Sequence, residues 1–454
     1  MQNSMSQHSN RGTLKSTQEL SSLMEIVLQE ATQQGATTAA VSVNHDTGFS
    51  VDVRMGEVET LAFSEEKGVS ITVYIDSQKG HASSSDTSLD AIKMMVNAAL
   101  EIARVSAADP CSGLPDKALV MYEYPELDLY HPWEITPAKA IEAAKKCEKM
   151  ALSHDKRITN SDGVSVATYA FIAGFASTQG FSGLVRSTRH SVTASLIAKE
   201  DEKMQRDYDY STSRYPDKLQ SIESLAQSAA TRTISRLGAR PISTQQCPVI
   251  FSSRLSSGLF SALIQAISGG NLYRKNSFLL DAIDQTLFPE WVQIYEQPHL
   301  IGALGSSPFD SEGLITRPNV FVKDGVLKQY ALSSYSARKL GLQTTANCGG
   351  VSNLTVDATV GHLDDLLQMM GKGLLVIELM GQGINIITGD YSRGAVGFWI
   401  EDGKIQFPVE EVTIAGNLKE MFLSIRAIGQ DINPNTATRC GSVLIDQMMI
   451  AGKE

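Results

Sequence analysis

Leu20, Leu23, Met24, Val27, Leu28 and Ala31 recur at the 3.6-residue spacing of a helix with one apolar face, and Gly35 follows as a stop. The period then falls to two. Val41 and Val43, then Val51 and Val53, then Val69, Ile71, Val73 and Ile75 alternate with polar residues. This predicts short strands separated by turns at Asn44–Gly48, Gly56, Gly68 and Lys79–Gly80. Ile92, Met95, Val96, Ala99, Leu100 and Ala103 return to helical spacing. The stretch 19–115 thus reads as helix, β-meander, helix, broken by the turn residues of Asp109–Gly113.

A second unit is predicted over 120–238. Thr136 and Pro137 have the form of an N-cap followed by proline at the first helical position. That helix runs to about Leu152, short strands occupy Ile158 to Ala198, and Ile222, Leu225, Ala226 and Ala229 mark another helix. Pro241 and Pro248 suggest a linker into a third unit, 242–454, which is mostly β. Asp324–Gly325 and Asp402–Gly403 are hairpin signals, and helical patches interrupt the strands near Leu255–Ile267 and Leu363–Met370. The expected fold class is α+β: a helix plus β-meander N-terminal domain, a small middle α+β domain and a β-rich C-terminal domain. Residues 1–18 are polar and are expected to be disordered.

Composition narrows the function classes. The chain has 454 residues, 42% hydrophobic and 20% charged, with a net charge of −11. No run of Lys and Arg offers a phosphate backbone a positive face, so nucleic acid is excluded as a partner. No apolar run is long enough to span a bilayer, and the polar N-terminus holds no secretion signal. The five cysteines, at 111, 147, 247, 348 and 440, make neither a disulfide framework nor a C-x-x-C motif. A soluble cytoplasmic protein is expected. The paired methionines Met94–Met95, Met369–Met370 and Met448–Met449 read as core packing.

The most informative stretch is Glu378–Gly403, which places six glycines among β-branched and aromatic residues. Glycine weakens a strand interior, so bulges, bends or the close approach of another backbone are expected there. A peptide lying along a sheet edge is one such backbone. In this stretch Asp390, Tyr391 and Arg393 read in two ways. They hold a peptide's backbone or carboxylate through the arginine fork, or they form a β-turn with an internal salt bridge.

The chain resembles the TldD/PmbA family of peptide-processing proteins, and its PmbA (TldE) branch in particular. The resemblance is carried in order by Arg54-Met-Gly-Glu-Val-Glu59, Ser83 to Asp86, Arg157-Ile-Thr-Asn-Ser-Asp-Gly163, Ser187-Thr-Arg-His-Ser191, Phe309-Asp-Ser-Glu-Gly313, Tyr335-Ser-Ala-Arg-Lys-Leu-Gly341, Gly389-Asp-Tyr-Ser-Arg-Gly394, Ile414-Ala-Gly-Asn417 and Arg439-Cys-Gly-Ser442. The family's TldD branch bears an H-E-x-x-x-H helix whose histidines share zinc and whose glutamate activates a water. Matching Tyr273-Arg-Lys275 places those three positions at Ser261, Ala262 and Ala266, and the family's cysteine ligand at Cys440. Alanine has no ligand atom and a serine hydroxyl is a poor zinc ligand. The resemblance therefore implies no catalytic residue and no metal on this chain, with zinc on a TldD-like partner. It also implies a homodimer when that partner is absent. The implied substrates are small or unfolded peptides, including leader peptides and labile antitoxins. Exposed edges of the glycine-rich sheet are expected to favour dimers.

Other residues keep two readings. Cys440 is a thiolate ligand or nucleophile, or a small buried hydrophobe. His190 is a catalytic base, or a strand histidine with a local hydrogen bond. Asp310 and Glu312 are an acid/base pair, or a solvated turn before Gly313. Arg274 and Lys275 line the cleft with Arg393, or complement a helix C-terminus. Three functions are carried forward: the non-metal subunit of a metalloprotease, a non-catalytic peptide-binding or assembly protein, and an independent hydrolase using Cys440 or a carboxylate.

Overall fold

The computed structural model describes residues 15–453. Most of the expected disordered segment, residues 1–14, lies outside the described residues; residues 17 and 18 already belong to the first helix. In the first half the elements are α1 (Thr17–Gln33), β1 (Thr38–Arg54), β2 (Glu57–Ile75), β3 (Gln78–Ser84), α2 (Leu89–Val105), α3 (Pro137–Ser153), β4 (Ile158–Ser177), β5 (Ser182–Glu200), β6 (Lys203–Ser213) and α4 (Ile222–Ser235). The helix starts follow from local chemistry. Ser16, Ser88, Thr136 and Ser221 each accept a first-turn backbone N–H, and Ser16 forms a capping box with Glu19.

The first two predicted units share one six-stranded sheet, ordered β3-β2-β1-β4-β5-β6, because β1 pairs along its length with β4. Val41, Val43, Val51 and Val53 all lie on one face of β1 and are fully or nearly fully buried; each such burial stabilises by roughly 1.5–3 kcal/mol. Helices α1 and α2 cover one end of that face and α3 and α4 the other, giving two separate cores on one sheet. The opposite face carries Ser42, Asn44, Phe171 and Phe175.

The strands are longer than the alternation predicts, and three of the four expected turns are absent. Asn44–Gly48 lies inside β1, Gly68 inside β2 and Lys79–Gly80 inside β3. Close packing accounts for these glycines. A Cβ on Gly48 would sit 2.3 Å from the Thr168 carbonyl oxygen, and one on Gly80 would sit 1.8 Å from that of Ala99 in α2. Only Gly56, at φ +81, turns the chain; its N–H and that of Met55 donate to the buried carboxylate of Glu148.

The second half contains β7 (Gln245–Phe251), α5 (Ser253–Ala266), α6 (Gly269–Tyr273), β8 (Ile294–Glu296), β9 (Val320–Lys323), β10 (Val326–Leu327), α7 (Ser334–Leu340), β11 (Leu354–Val356), α8 (Leu363–Met370), β12 (Gly373–Met380), β13 (Asp390–Glu401), β14 (Lys404–Asn417), α9 (Leu418–Leu423), β15 (Ile425–Ile428) and β16 (Val443–Ala451). The hairpin signals hold at Asp324–Gly325 and Asp402–Gly403, all four residues at positive φ. A sheet ordered β14-β13-β12-β7-β16-β15 closes through a further β14–β16 ladder, Thr413 to Ala415 against Ala451 to Met449. Strands β7, β12, β13, β14 and β16 therefore form a ring.

That ring corrects the expectation of exposed edges in the glycine-rich sheet. Strand β13 is paired on both sides, with β12 and β14. The backbone that approaches the glycines is the chain's own: a Cβ on Gly383 would meet the Ser392 carbonyl oxygen at 1.5 Å, and one on Gly397 that of Leu375 at 2.0 Å. A free edge does occur on the first sheet. Strand β2 pairs with β3 only from Val69 onward, so among the described residues Glu57–Gly68 pairs with β1 alone.

Candidate functional site

Helix α5 sets the first candidate site. Its apolar positions Leu259, Phe260, Leu263 and Ala266 fall at helical spacing and pack against Val249 and Phe251 of the ring. Ser261 is exposed, while Ala262 and Ala266 are buried in that core. Cys440 lies against Ser256 of the same helix and donates its thiol to the Gly441 carbonyl; burial pushes the thiol up to about 12, so it is not a ready nucleophile at neutral pH. The donor set does not fit zinc: two positions are methyl groups in an apolar core, the third is a solvent-facing hydroxyl, and a lone thiol without partner ligands does not hold the ion. Among the described residues no group of three or more His, Cys, Asp or Glu side chains is placed to share a metal ion.

Over this helix lies a cleft of about 310 Å³ lined by Ala262, Gln265, Gly381, Gln382, Ile384, Ile386 and Arg393. The structure thus brings Arg393 to the face of α5 where the family's glutamate position falls. Among the described residues the Nε of Arg393, itself buried, finds no hydrogen-bond partner. Its guanidinium stands beside the Tyr391 phenol, which burial nevertheless pushes up to about 12. Strand alternation points Tyr391 and Arg393 to one side and Asp390 to the other. Asp390 accepts from Thr388 and Asn417 instead, which hold its carboxyl below the usual range. The internal Asp390–Arg393 salt bridge expected of a turn is therefore not formed. Arg274 caps α6, stacks on Tyr273 at 5.1 Å and, like Lys275, is exposed and outside the cleft.

A second, larger cavity, about 820 Å³, separates the two halves. Its floor is the open face of the first sheet, with Ser42, Asn44, Phe171 and Phe175. Its roof is two loops, Ser306–Ser311 and Cys348–Ser352. The motif Phe309–Gly313 builds the first loop. Asp310 accepts backbone N–H groups from Glu312, Leu314 and Cys348. Burial and then the Glu312 charge raise it to about 7 against those three bonds. Glu312 accepts from the Ser334 N–H at the start of α7. Both carboxylates thus shape a turn, and that turn is buried at Asp310 rather than solvated. Gly313, at φ +77, packs so tightly on Phe175 and Phe181 that a Cβ would lie 2.7 Å from each ring.

The motif Tyr335–Gly341 is a strap between the halves. Arg338 donates to the carbonyls of Cys111, Gly113 and Leu114. Tyr335 and Lys339 both bind Asp109. His190 is buried between the Thr168 hydroxyl at 2.9 Å and the His131 carbonyl at 2.8 Å, and burial lowers its pKa. It is a neutral strand histidine with its donor and acceptor both used.

Sequence reasoning missed two groups. Glu296, fully buried, accepts from Asn319, Asn347 and the Ser352 N–H, and so holds the second roof loop. Arg214 lines the cavity floor's rim. Neither sits in a pattern of fixed spacing; only tertiary placement reveals them.

Comparison with known proteins follows the same order as the fold. Three family models match: "PmbA/TldA metallopeptidase domain 1" over 39–103, its central domain over 130–237 and its C-terminal domain over 244–452. The chain is 48% identical over 415 residues to Metalloprotease PmbA of Escherichia coli O157:H7, covering 91% of this chain and 92% of that protein. A Bacteroides thetaiotaomicron structure, described as a candidate modulator of DNA gyrase, superposes with a TM-score of 0.91 at 29% identity, covering 96% of this chain and 100% of that one. TldE from Thermococcus kodakarensis shares the fold, with a TM-score of 0.83 at 20% identity over 95% of this chain and 100% of that one.

Proposed function

This chain belongs to the PmbA/TldD family of metallopeptidases, and from that membership we propose that it is the non-metal subunit of a two-chain protease for small or unfolded peptides. The observation that carries the proposal is the state of α5. Where a zinc-bearing relative would hold its ligands, this helix presents Ser261 to solvent and two alanines to an apolar core, yet the cleft over it remains and holds an unpartnered guanidinium nitrogen from Arg393. Loss of the metal ligands with retention of a cleft fits a role in holding peptide.

In this reading hydrolysis is assigned to zinc on a TldD-like partner, and the chain itself carries no metal and no cofactor. It works in the cytoplasm, where thiols stay reduced, and among the described residues no helix is long and apolar enough to cross a membrane. Without its partner it pairs with itself. Strand addition, if used for peptide, falls to the free edge of β2 rather than to β13.

The test is purification of the tagged chain from its own cells, followed by metal analysis of each subunit and peptidase assays with and without the partner. The expected result is a co-purifying TldD-like chain that carries the zinc, and peptidase activity only in the complex. Near one tightly bound zinc on the isolated chain, or chelator-resistant activity from it alone, would overturn the reading. Cys440→Ser should leave partner activity nearly unchanged.

A further inference from the structure

The cavity between the halves has an electrostatic character opposite to that of the chain. The chain carries a net charge of −11. The charged residues that line the cavity are Lys67, Arg214 and Asp310, so cations outnumber carboxylates there. Asp310 offers little to a ligand, because its oxygens already accept three backbone N–H groups.

Arg214 is the unusual member. Its guanidinium donates to three backbone carbonyls: Ala303 at 3.0 Å, Thr188 at 3.3 Å and Leu304 at 2.8 Å. Those bonds use three of the five N–H donors that a guanidinium carries, and they neutralise none of its charge. Burial and then the charge of Arg189 lower its pKa only to about 10, so it stays charged at neutral pH; the nearby Tyr215 phenol, pushed up to about 12, is neutral there and supplies no counter-charge. A largely buried cation held in place by neutral carbonyls, with donors to spare, suits an incoming anion.

The rest of the cavity selects the kind of anion. Its volume, about 820 Å³, falls in the range that encloses an organic ligand and far exceeds what an inorganic ion fills. Phe171 and Phe175 supply an apolar floor. At the rim, Lys67 and Gly68 belong to the part of β2 that β3 leaves unpaired, and among the described residues only β1 pairs with it there, so this edge has room for an added strand. Aromatic floor, free strand edge and fixed guanidinium together match a short extended peptide with a free carboxylate.

We propose that this cavity, and not only the cleft over α5, binds a short peptide, with the guanidinium of Arg214 anchoring its carboxylate and the edge of β2 meeting its backbone. The inference rests on the peptide-holding role set out above and names a site for it. Arg214 is here a binding residue with no part in chemistry.

The experiment uses the full chain and a labelled hexapeptide with uncharged side chains, made as the C-terminal acid and as the C-terminal amide. At neutral pH the acid should bind at least about tenfold tighter than the amide, as expected of a charge-assisted pair. Arg214→Gln should remove that preference by weakening the acid while leaving the amide unchanged, and Arg214→Lys should restore part of it. Hydrogen exchange should show protection by the acid at 306–311 and 348–352. Equal affinity of acid and amide for the native chain overturns the proposal even if the variants fail to fold. So does a preference that survives Arg214→Gln, or protection confined to 381–393. Displacement of the peptide by inorganic phosphate at concentrations where acetate has no effect also overturns it, in favour of a phosphate ligand. If the chain with its partner cleaves peptides although neither hexapeptide binds here, this inference fails and the subunit role stands. If the acid preference holds but no metalloprotease co-purifies, the subunit role fails and this site stands.

Discussion

The phenol of Tyr335 donates to the carboxylate of Asp109 at 2.8 Å, joining positions 226 residues apart across the two halves of the molecule. Lys339, one turn further along α7, meets the same carboxylate at 2.9 Å. The Lys339 bond, then one from the Cys111 N–H and then that of Tyr335 hold the Asp109 carboxyl down to about 2. A carboxylate with a depressed pKa contributes stability that is present above its ordinary value near 3.8 and lost as pH falls toward 2. Asp109→Asn should therefore mimic acid at neutral pH. Hydrogen exchange across 106–119, expressed relative to the intrinsic amide rate at each pH, should quicken several-fold in the variant, and in the parent between pH 4 and pH 2. Unchanged exchange in both cases would show that the strap does not restrain residues 106–119.

Gly313→Ala tests the packing of the halves. The residue would have to hold φ +77 and press a methyl group into Phe175 and Phe181. Left-handed strain of about 1–2 kcal/mol adds to overpacking of about 1–3 kcal/mol. A loss of roughly 2–5 kcal/mol in unfolding free energy is expected, measured by denaturant melts. A variant within about 0.5 kcal/mol of the parent would mean that the loop yields freely.

Asp310 makes stability fall as pH rises. Its carboxyl is raised to about 7, so the folded chain binds more protons than the unfolded one between about 4 and 7. The contribution is complete below the ordinary carboxylate pKa and lost as pH climbs through 7, on the order of 4 kcal/mol across the window. Asp310→Asn keeps an oxygen for two of the three N–H groups and removes the charge. Its unfolding midpoint should show a flatter pH dependence than the parent between pH 4 and 7. Parallel curves would place the parent's titration elsewhere.

Arg393 separates folding from function. A buried nitrogen without a partner carries a desolvation cost of about 1–3 kcal/mol. Arg393→Met removes that group and fills similar volume, so the isolated chain should be as stable as the parent or more so. In the reconstituted complex the same variant should raise KM or lower kcat/KM, with the partner's zinc intact. Parent-level cleavage by a well-folded variant would make Arg393 a packing residue.

Much of the helical structure was legible in the sequence because its cause is local. The spacing of Leu20 to Ala31, the Thr136–Pro137 start and the Asp402–Gly403 turn each act within a few residues. The strand lengths were not legible, because Gly48, Gly68 and Gly80 carry the marks of turns while serving close packing against Tyr169, Asn44 and α2. The ring closure depends on Thr413 meeting Ala451, which no local pattern records. Of the candidate site, α5 and its missing ligands could be placed by motif. Arg214 could not, since its meaning comes from carbonyls at 188, 303 and 304 and from a cavity that exists only after folding.

The ring has one more consequence. Its first strand, β7, and its last, β16, run side by side, and just outside them the Thr244 hydroxyl bonds with both the N–H and the carbonyl of Gly452. Entry and exit of the second half therefore share one point. A chain re-cut so that 452 leads directly into 244, with new ends opened at the Asp402–Gly403 turn, would keep every rung of the five-strand ring. The half would be held to the first by non-covalent contacts alone, and its assembly could be followed without the covalent link that normally feeds it.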